Sequence, residues 1–269
     1  MTTTQGRRTG RILSIALAAS LLAASPAFAE DFAAGDAGPV PGDAALPGWQ
    51  FTIAPYFWGA GITGDVAQFG LPTTRIDQSF SDILDSLEFA GMIVGEARYG
   101  PYSVSTDLSY VQTSESERTP LGILARRVRV TSKSLRWATL AGYTVYEDAR
   151  FRLDAKAGVQ LSSVETRIKV SGGLLGTRTR TDGETWVDGL AGLRARISLS
   201  ERFYLTAWGY AGAGGADFAW DALGGAGYNF TPNTSAFLGY RANGVDYRDG
   251  GFIYDVVQHG PVAGLVFRF

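Results

Sequence analysis

Residues 151–162 read FRLDAKAGVQLS. Phe151, Leu153, Ala155, Ala157, Val159 and Leu161 alternate with Arg152, Asp154, Lys156, Gly158, Gln160 and Ser162, the period-2 pattern of a strand with one apolar and one polar face. A water-soluble sandwich turns such an apolar face inward. A barrel in a bilayer turns it outward to lipid and folds the charges into its lumen. This string alone fits both, so the choice falls to its neighbours.

From Trp49 onward the same alternation recurs in ten segments: 49–58, 89–99, 102–112, 129–146, 150–167, 185–198, 202–212, 217–230, 234–246 and 258–269. Most reach the roughly 9–11 residues that a tilted strand needs to cross a bilayer. Their connections alternate in length. Short turns sit at Gly100-Pro101, Glu147 to Arg150, Ser200-Glu201 and Thr231 to Asn233, and long ones span 59–88, 113–128, 168–184 and 247–257; only the link near 213–216 breaks the rule. Short turns on one side, long loops on the other and an even strand count are the topology of an outer-membrane barrel. Parity also places Trp49, Phe51, Tyr99, Tyr102, Tyr143, Phe151, Tyr228, Phe230, Phe267 and Phe269 on the apolar side, each near a short turn or a terminus. Rings gathered at one height suit a membrane interface, whereas a soluble core gains nothing by collecting them at one end. The sequence therefore predicts an all-β, antiparallel up-and-down transmembrane barrel of about ten strands. Eight is an alternative, and twelve follows if GDVAQF (64–69) and TTRID (73–77) form an added hairpin.

Composition fits this reading. The chain has 35 Gly, 12 Tyr, 15 Phe and 6 Trp in 269 residues, with a mean hydropathy of +0.01. Glycine is about twice its usual share, which suits closely paired strands. Residues 1–29 read as an export signal: Arg7, Arg8 and Arg11, an apolar run from Ile12 to Ala24, then Ala27-Phe28-Ala29 as a cleavage site. That run is short of the roughly 20 residues of a spanning helix. Residues 30–48, rich in Ala, Gly, Pro and Asp, read as a flexible leader, and 49–269 as the barrel. Loss of the signal leaves 21 basic and 26 acidic residues, a net charge of 21 − 26 = −5. Nucleic-acid binding is not expected, because neither net basicity nor a recognition motif is present. With no cysteine, one histidine and no calcium-loop spacing, neither a metal site nor a cofactor is expected.

The terminal PVAGLVFRF sets Pro261, Ala263, Leu265, Phe267 and Phe269 on one face. Leu265, Phe267 and Phe269 resemble the C-terminal signal by which the barrel assembly machinery takes up its clients. The Pro-Tyr-x-Trp segment at Pro55, Tyr56 and Trp58, the Asp-Ile-Leu-Asp-x-Leu segment at Asp82 to Leu87, the Glu-x-x-x-Gly stretch at Glu96 to Gly100 and the terminal Phe complete a wider likeness. Over residues 49–269 the chain resembles a broad family of uncharacterised proteobacterial outer-membrane β-barrel proteins. The resemblance implies fold and a place in the bacterial outer membrane, and brings no activity or functional residue with it.

If the apolar parity meets lipid, the other parity lines the lumen with Glu96, Arg98, Asp107, Arg136, Arg152, Asp154, Lys156, Asp188, Arg194, Arg196, Asp221, Arg241 and Arg268, eight basic and five acidic. Two readings follow. Paired charges can brace a filled interior, because an unpaired buried ion costs several kcal/mol; alternatively, the surplus arginines can line a narrow, anion-favouring water path. Ile83, Leu84 and Leu87 share one face of a predicted short helix in the first long loop, with Ser79 or Ser81 as its cap, and can plug the mouth or cover the rim. Arg118, Arg126, Arg127, Arg129, Arg167, Lys169, Arg178 and Arg180 suit lipopolysaccharide phosphates. Glu115, Glu117, Glu165, Asp182 and Glu184 are interleaved among them, as in ordinary solvated surface charge. The expected role is a structural barrel or narrow passive pore. The alternative is a rim hydrolase built on His259, which lacks an evident nucleophile nearby.

Overall fold

The computed structural model describes residues 48–118, 127–172 and 176–269. The export segment, the leader as far as residue 47, and Arg126 lie outside the described residues. The elements in order are β1 (Trp49–Trp58), β2 (Gly61–Ala67), β3 (Thr74–Gln78), helix α1 (Phe80–Ser86), β4 (Leu87–Tyr99), β5 (Tyr102–Arg118), β6 (Arg127–Glu147), β7 (Phe151–Ser171), β8 (Arg178–Ser198), β9 (Phe203–Gly214), β10 (Phe218–Asn229), β11 (Thr234–Asp249) and β12 (Phe252–Arg268).

Ten of these strands close a barrel. β1 pairs β4, each strand from β4 to β12 pairs the next, and β12 returns to β1 with Thr52 opposite Arg268 and Trp58 opposite Val262, all antiparallel. Phe269 exchanges backbone hydrogen bonds with Phe51 at 2.9 and 3.1 Å, so the chain end lies in the seam. The hairpin of the twelve-strand alternative does form. β2 continues up β12 where β1 leaves it, from His259 opposite Gly61 to Ile253 opposite Ala67, and β3 pairs β2. The barrel keeps ten strands because β1 and β2 take different halves of one long strand, β12.

The sidedness of β7 is plain. Val159 is 55% exposed on the outer surface, whereas Asp154 and Lys156 are each 3% exposed inside the wall. Hydrocarbon explains the preference, since an Arg or Lys facing lipid at mid-depth costs about 2–4 kcal/mol. The aromatic residues of the turn side are outward and in mutual contact: Trp49 with Phe51 and Tyr99, Tyr102 with Tyr143, Phe203 and Phe230 with Tyr228. A second outward set contains Phe89 beside Tyr110, Trp137, and Tyr240 beside His259. Tyr99 and Phe89 on β4 are ten residues apart (99 − 89), about 25 Å along the normal for a strand tilted by ~40°. That is the height of the apolar band of an outer-membrane barrel.

The strands β5 to β8 run well past this second ring, and most of 113–118, 127–128, 168–171 and 178–184, expected as loop, is paired strand. Apolar alternation stops where lipid stops, but the hydrogen-bond ladder does not. On the turn side, Gly100 adopts φ 53°, a left-handed conformation that favours glycine, between Tyr99 and Tyr102. In the turn after β6, Asp148 accepts the backbone N–H of Arg150 and Phe151, each at 2.8 Å, and the Tyr146 hydroxyl at 3.0 Å. Those bonds, the backbone pair first, hold its carboxyl below the usual carboxylate range.

Candidate functional site: the lumen and its mouth

All thirteen charged side chains assigned to the inner parity face inward, and nine of them fall into two ion layers. In the layer nearer the turn side, Arg98 bonds Asp154 at 2.7 Å, and Glu96 takes Lys156 at 2.6 Å and Arg194 at 2.7 Å. Thr144 donates to Asp154 at 2.7 Å, and Lys156 donates to the Ser105 hydroxyl at 3.0 Å. Three cations therefore share two carboxylates, joining β4, β7 and β8.

The second layer crosses the lumen. Arg241 on β11 bonds Asp107 at 2.6 Å and Asp221 at 2.7 Å, and donates to the Tyr56 hydroxyl at 3.0 Å. Arg136 on β6 bonds Asp221 at 2.5 Å and Asp107 at 3.0 Å. Tyr56 donates to Asp107 and the Trp208 indole N–H to Asp221, both at 2.7 Å. Two cations meet two carboxylates with their lone pairs further satisfied, the condition under which a buried ion set is tolerated. Since β5 and β10 stand on opposite sides of the ten-strand ring, the quartet is a strut across it.

The other four inner residues make further contacts. Arg152 reaches Glu147 at the turn end, with Nε–Oε1 at 3.0 Å. The Arg196 guanidinium sits 3.8 Å from the Tyr204 ring centroid, and Arg268 donates to the Ser235 hydroxyl at 3.1 Å. Asp188 lies at the far end, where it accepts the Ala216 N–H at 2.8 Å. It thereby tucks the short β9–β10 link into the mouth, a role that alternation could not show because the partner is a backbone amide. At the turn end Arg152, Arg196 and Arg268, with Arg98, Arg194 and Arg241 and the acids Glu96 and Asp154, line a cavity of about 160 Å³. Smaller cavities of about 60 and 40 Å³ lie further along the lumen, separated by the strut residues and the mouth.

The mouth is sealed by apolar side chains. Ile62, Val66, Ile76, Ile83, Val164, Trp186, Tyr247, Phe252, Tyr254 and Val256 form one buried cluster fed from β2, β3, α1, β7, β8, β11 and β12. Trp186 stacks on Tyr247 with centroids 4.3 Å apart. The β2–β3 hairpin reaches across this layer. β2 pairs β12 along its whole length, and at the hairpin tip the Phe69 N–H donates to Asp182 of β8 while Arg180 lies 5.9 Å from the Phe69 ring.

Helix α1 forms as its sequence predicts, with Ser79 and Asp82 making a reciprocal capping box. Its apolar face is narrower than expected. Ile83 is 1% exposed within the mouth cluster, but Leu84 is 43% exposed, and Leu87 begins β4 in extended conformation. The helix ends after seven residues because β4 pairing claims Leu87, opposite Thr113. His259, the one histidine of the chain, points outward from β12, with Nδ1 2.6 Å from the Tyr240 hydroxyl. Among the described residues, no group of acidic or histidine side chains is arranged to hold a metal.

No family model matches the sequence, and no curated protein is detectably similar to it. Solved structures do resemble it. The outer membrane protease OmpT from Escherichia coli matches with a TM-score of 0.51 and 13% identity, over 83% of this chain and 97% of that one. The translocator domain of the autotransporter NalP from Neisseria meningitidis matches with a TM-score of 0.42 and 16% identity, over 85% and 91%. A closed antiparallel barrel with an apolar band outside, aromatic rings at both edges and ions within defines the class: this chain is a bacterial outer-membrane β-barrel protein.

Proposed function

We propose that this barrel is closed at rest and braces the outer membrane, passing small solutes, anions in preference, only when its internal strut yields. The observation that supports this most is Arg241, whose guanidinium ties β1, β5 and β10 together through Tyr56, Asp107 and Asp221. Separating such ions inside a low-dielectric lumen costs several kcal/mol, so openings are rare. The anion preference rests on the net lining of the cavity at the turn end, which faces the periplasm in this topology: six arginines against Glu96 and Asp154. In planar bilayers the refolded protein is expected to carry no steady current, with infrequent openings selective for anions. A large steady current, or selectivity for cations, would overturn the reading.

A second reading, a hydrolase of lipid or peptide at the external rim, has His259 as its one sequence candidate. Its neighbour is the Tyr240 hydroxyl on the outer wall, and this disfavours a nucleophilic pair opening into the mouth. His259→Ala is expected to leave assembly and envelope integrity unchanged. Loss of a hydrolytic activity from a fully assembled variant would favour the enzyme instead. The partners in either case are outer-membrane lipid and, during insertion, the assembly machinery reading the outward row of Leu265, Phe267 and Phe269.

A further inference from the structure

The strand pleat divides the mixed charges around the long loops unevenly. Glu115 and Glu117 on β5, and Arg178, Arg180, Asp182 and Glu184 on β8, fall on the inward parity shared with Asp107 and Asp188. The outward parity of β5, β6 and β7 above the second aromatic ring instead carries Arg118, Arg127, Arg129, Lys133, Arg167 and Lys169, with Glu165 as its acid. Six cations therefore face one carboxylate, and that carboxylate is shared by Lys133 at 3.7 Å and Arg167 at 3.4 Å.

These side chains are also neighbours. The register sets Arg118 opposite Arg127, Arg129 opposite Lys169 and Lys133 opposite Glu165, so the cations form a contiguous patch on three strands. Like charges directly opposite one another destabilise a sheet, a cost that a bound anion would relieve. The opposite wall differs: outward positions of β2, β3, β11 and β12 carry Asp65, Asp77, Asp246 and Asp255 against Arg75 and Arg248. Among the described residues, net outward basicity above the second ring is thus concentrated on one side of the barrel, which general solubility does not require.

Height supplies the occupant. Lys133 and Arg129 lie four and eight residues beyond the outward Trp137 on β6, about 10 and 20 Å above the aromatic ring. That span covers the headgroup layer and the first sugars outside it. Below the patch the wall is apolar at Leu135, Trp137, Val159 and Leu161. We propose that this wall of β5, β6 and β7 binds a phosphorylated glycolipid of the outer leaflet, its acyl chains on the apolar surface and its phosphates in the arginine and lysine patch. Guanidinium forks are suited to bidentate contact with phosphate. The site does not depend on whether the lumen conducts.

The test uses the full refolded barrel in detergent, with bisphosphorylated lipid A, its dephosphorylated form and inorganic phosphate as separate probes. Thermal stability and native mass spectrometry read binding. Bisphosphorylated lipid A is expected to bind saturably and raise the melting temperature, and the other two probes are not. R118Q/R129Q/R167Q/K169Q is expected to weaken binding at least about tenfold, each lost charge-assisted contact contributing. R75Q/R248Q, on the opposite wall, is expected to bind like the parent. Equal binding of dephosphorylated lipid A, an equal loss in R75Q/R248Q, or undiminished binding by a folded quadruple variant would overturn the site. So would a quadruple variant whose sole change is in self-association, because the patch would then meet the acidic wall of a second copy.

Discussion

Arg241→Ala is expected to cost about 3–5 kcal/mol in the unfolding free energy of the refolded barrel, the range for removing one member of a buried ion set. Arg241 serves both carboxylates of the strut, so its loss leaves Asp107 and Asp221, both inward, sharing Arg136 alone. It also strips a donor from the Tyr56 hydroxyl. Urea unfolding followed by tryptophan emission measures this well, because the Trp208 indole donates to Asp221 and Arg241 lies 5.3 Å from the Trp58 ring centroid. The paired change D221A/R241A is expected to recover part of the loss, since a one-to-one Arg136–Asp107 bridge survives. If Arg241→Ala unfolds like the parent, the strut is ornament and the lumen is held by its wall alone.

Permeability should depend on two barriers in series. Residues 61–86 supply the hairpin, the helix and the Ile62, Val66, Ile76 and Ile83 side chains of the mouth seal. Replacing that segment with a short Gly-Ser connector leaves β1 and β4 paired, and is expected to give no steady current because the strut still spans the ring. D221A/R241A alone should likewise carry no steady current, behind the seal of Trp186, Tyr247 and Tyr254, while its brief openings become more frequent than the parent's. Combined, the changes remove both obstacles and should produce a steady current with anion preference. A steady current from the segment replacement alone would make α1 and the hairpin the whole gate. Silence of the combined variant would show that the wall residues fill the lumen unaided.

The sequence is most legible where physics imposes a period. In β7 the switch between Val159 and Gln160 is forced by lipid on one side and ions on the other, so alternation gives strand, face and barrel together. Above the membrane that forcing ends. Residues 178–184 of β8 carry charge or polarity on both faces, and no apolar rhythm marks them as strand. Partners within the lumen are similarly silent. Parity sets Arg136 and Arg196 alike, yet one joins Asp107 and Asp221 and the other lies on the Tyr204 ring, because barrel closure decides which strands stand opposite. Leu84 and Leu87 depart from the expected helix face for a local reason: a capped segment shows where a helix starts, while its end is set by the strand pairing that captures Leu87.

Orientation of the wall carries every other inference. Nitroxide labels at positions 159, 160, 161 and 162 of the barrel in lipid vesicles test it most directly, since these four neighbours alternate faces and none of them is a charged member of either ion layer. Frequent collision with dissolved oxygen is expected at 159 and 161, with little at 160 and 162. The reverse pattern, oxygen at 160 and 162 and shielding at 159 and 161, would put the charges of β7 toward lipid and contradict the barrel described.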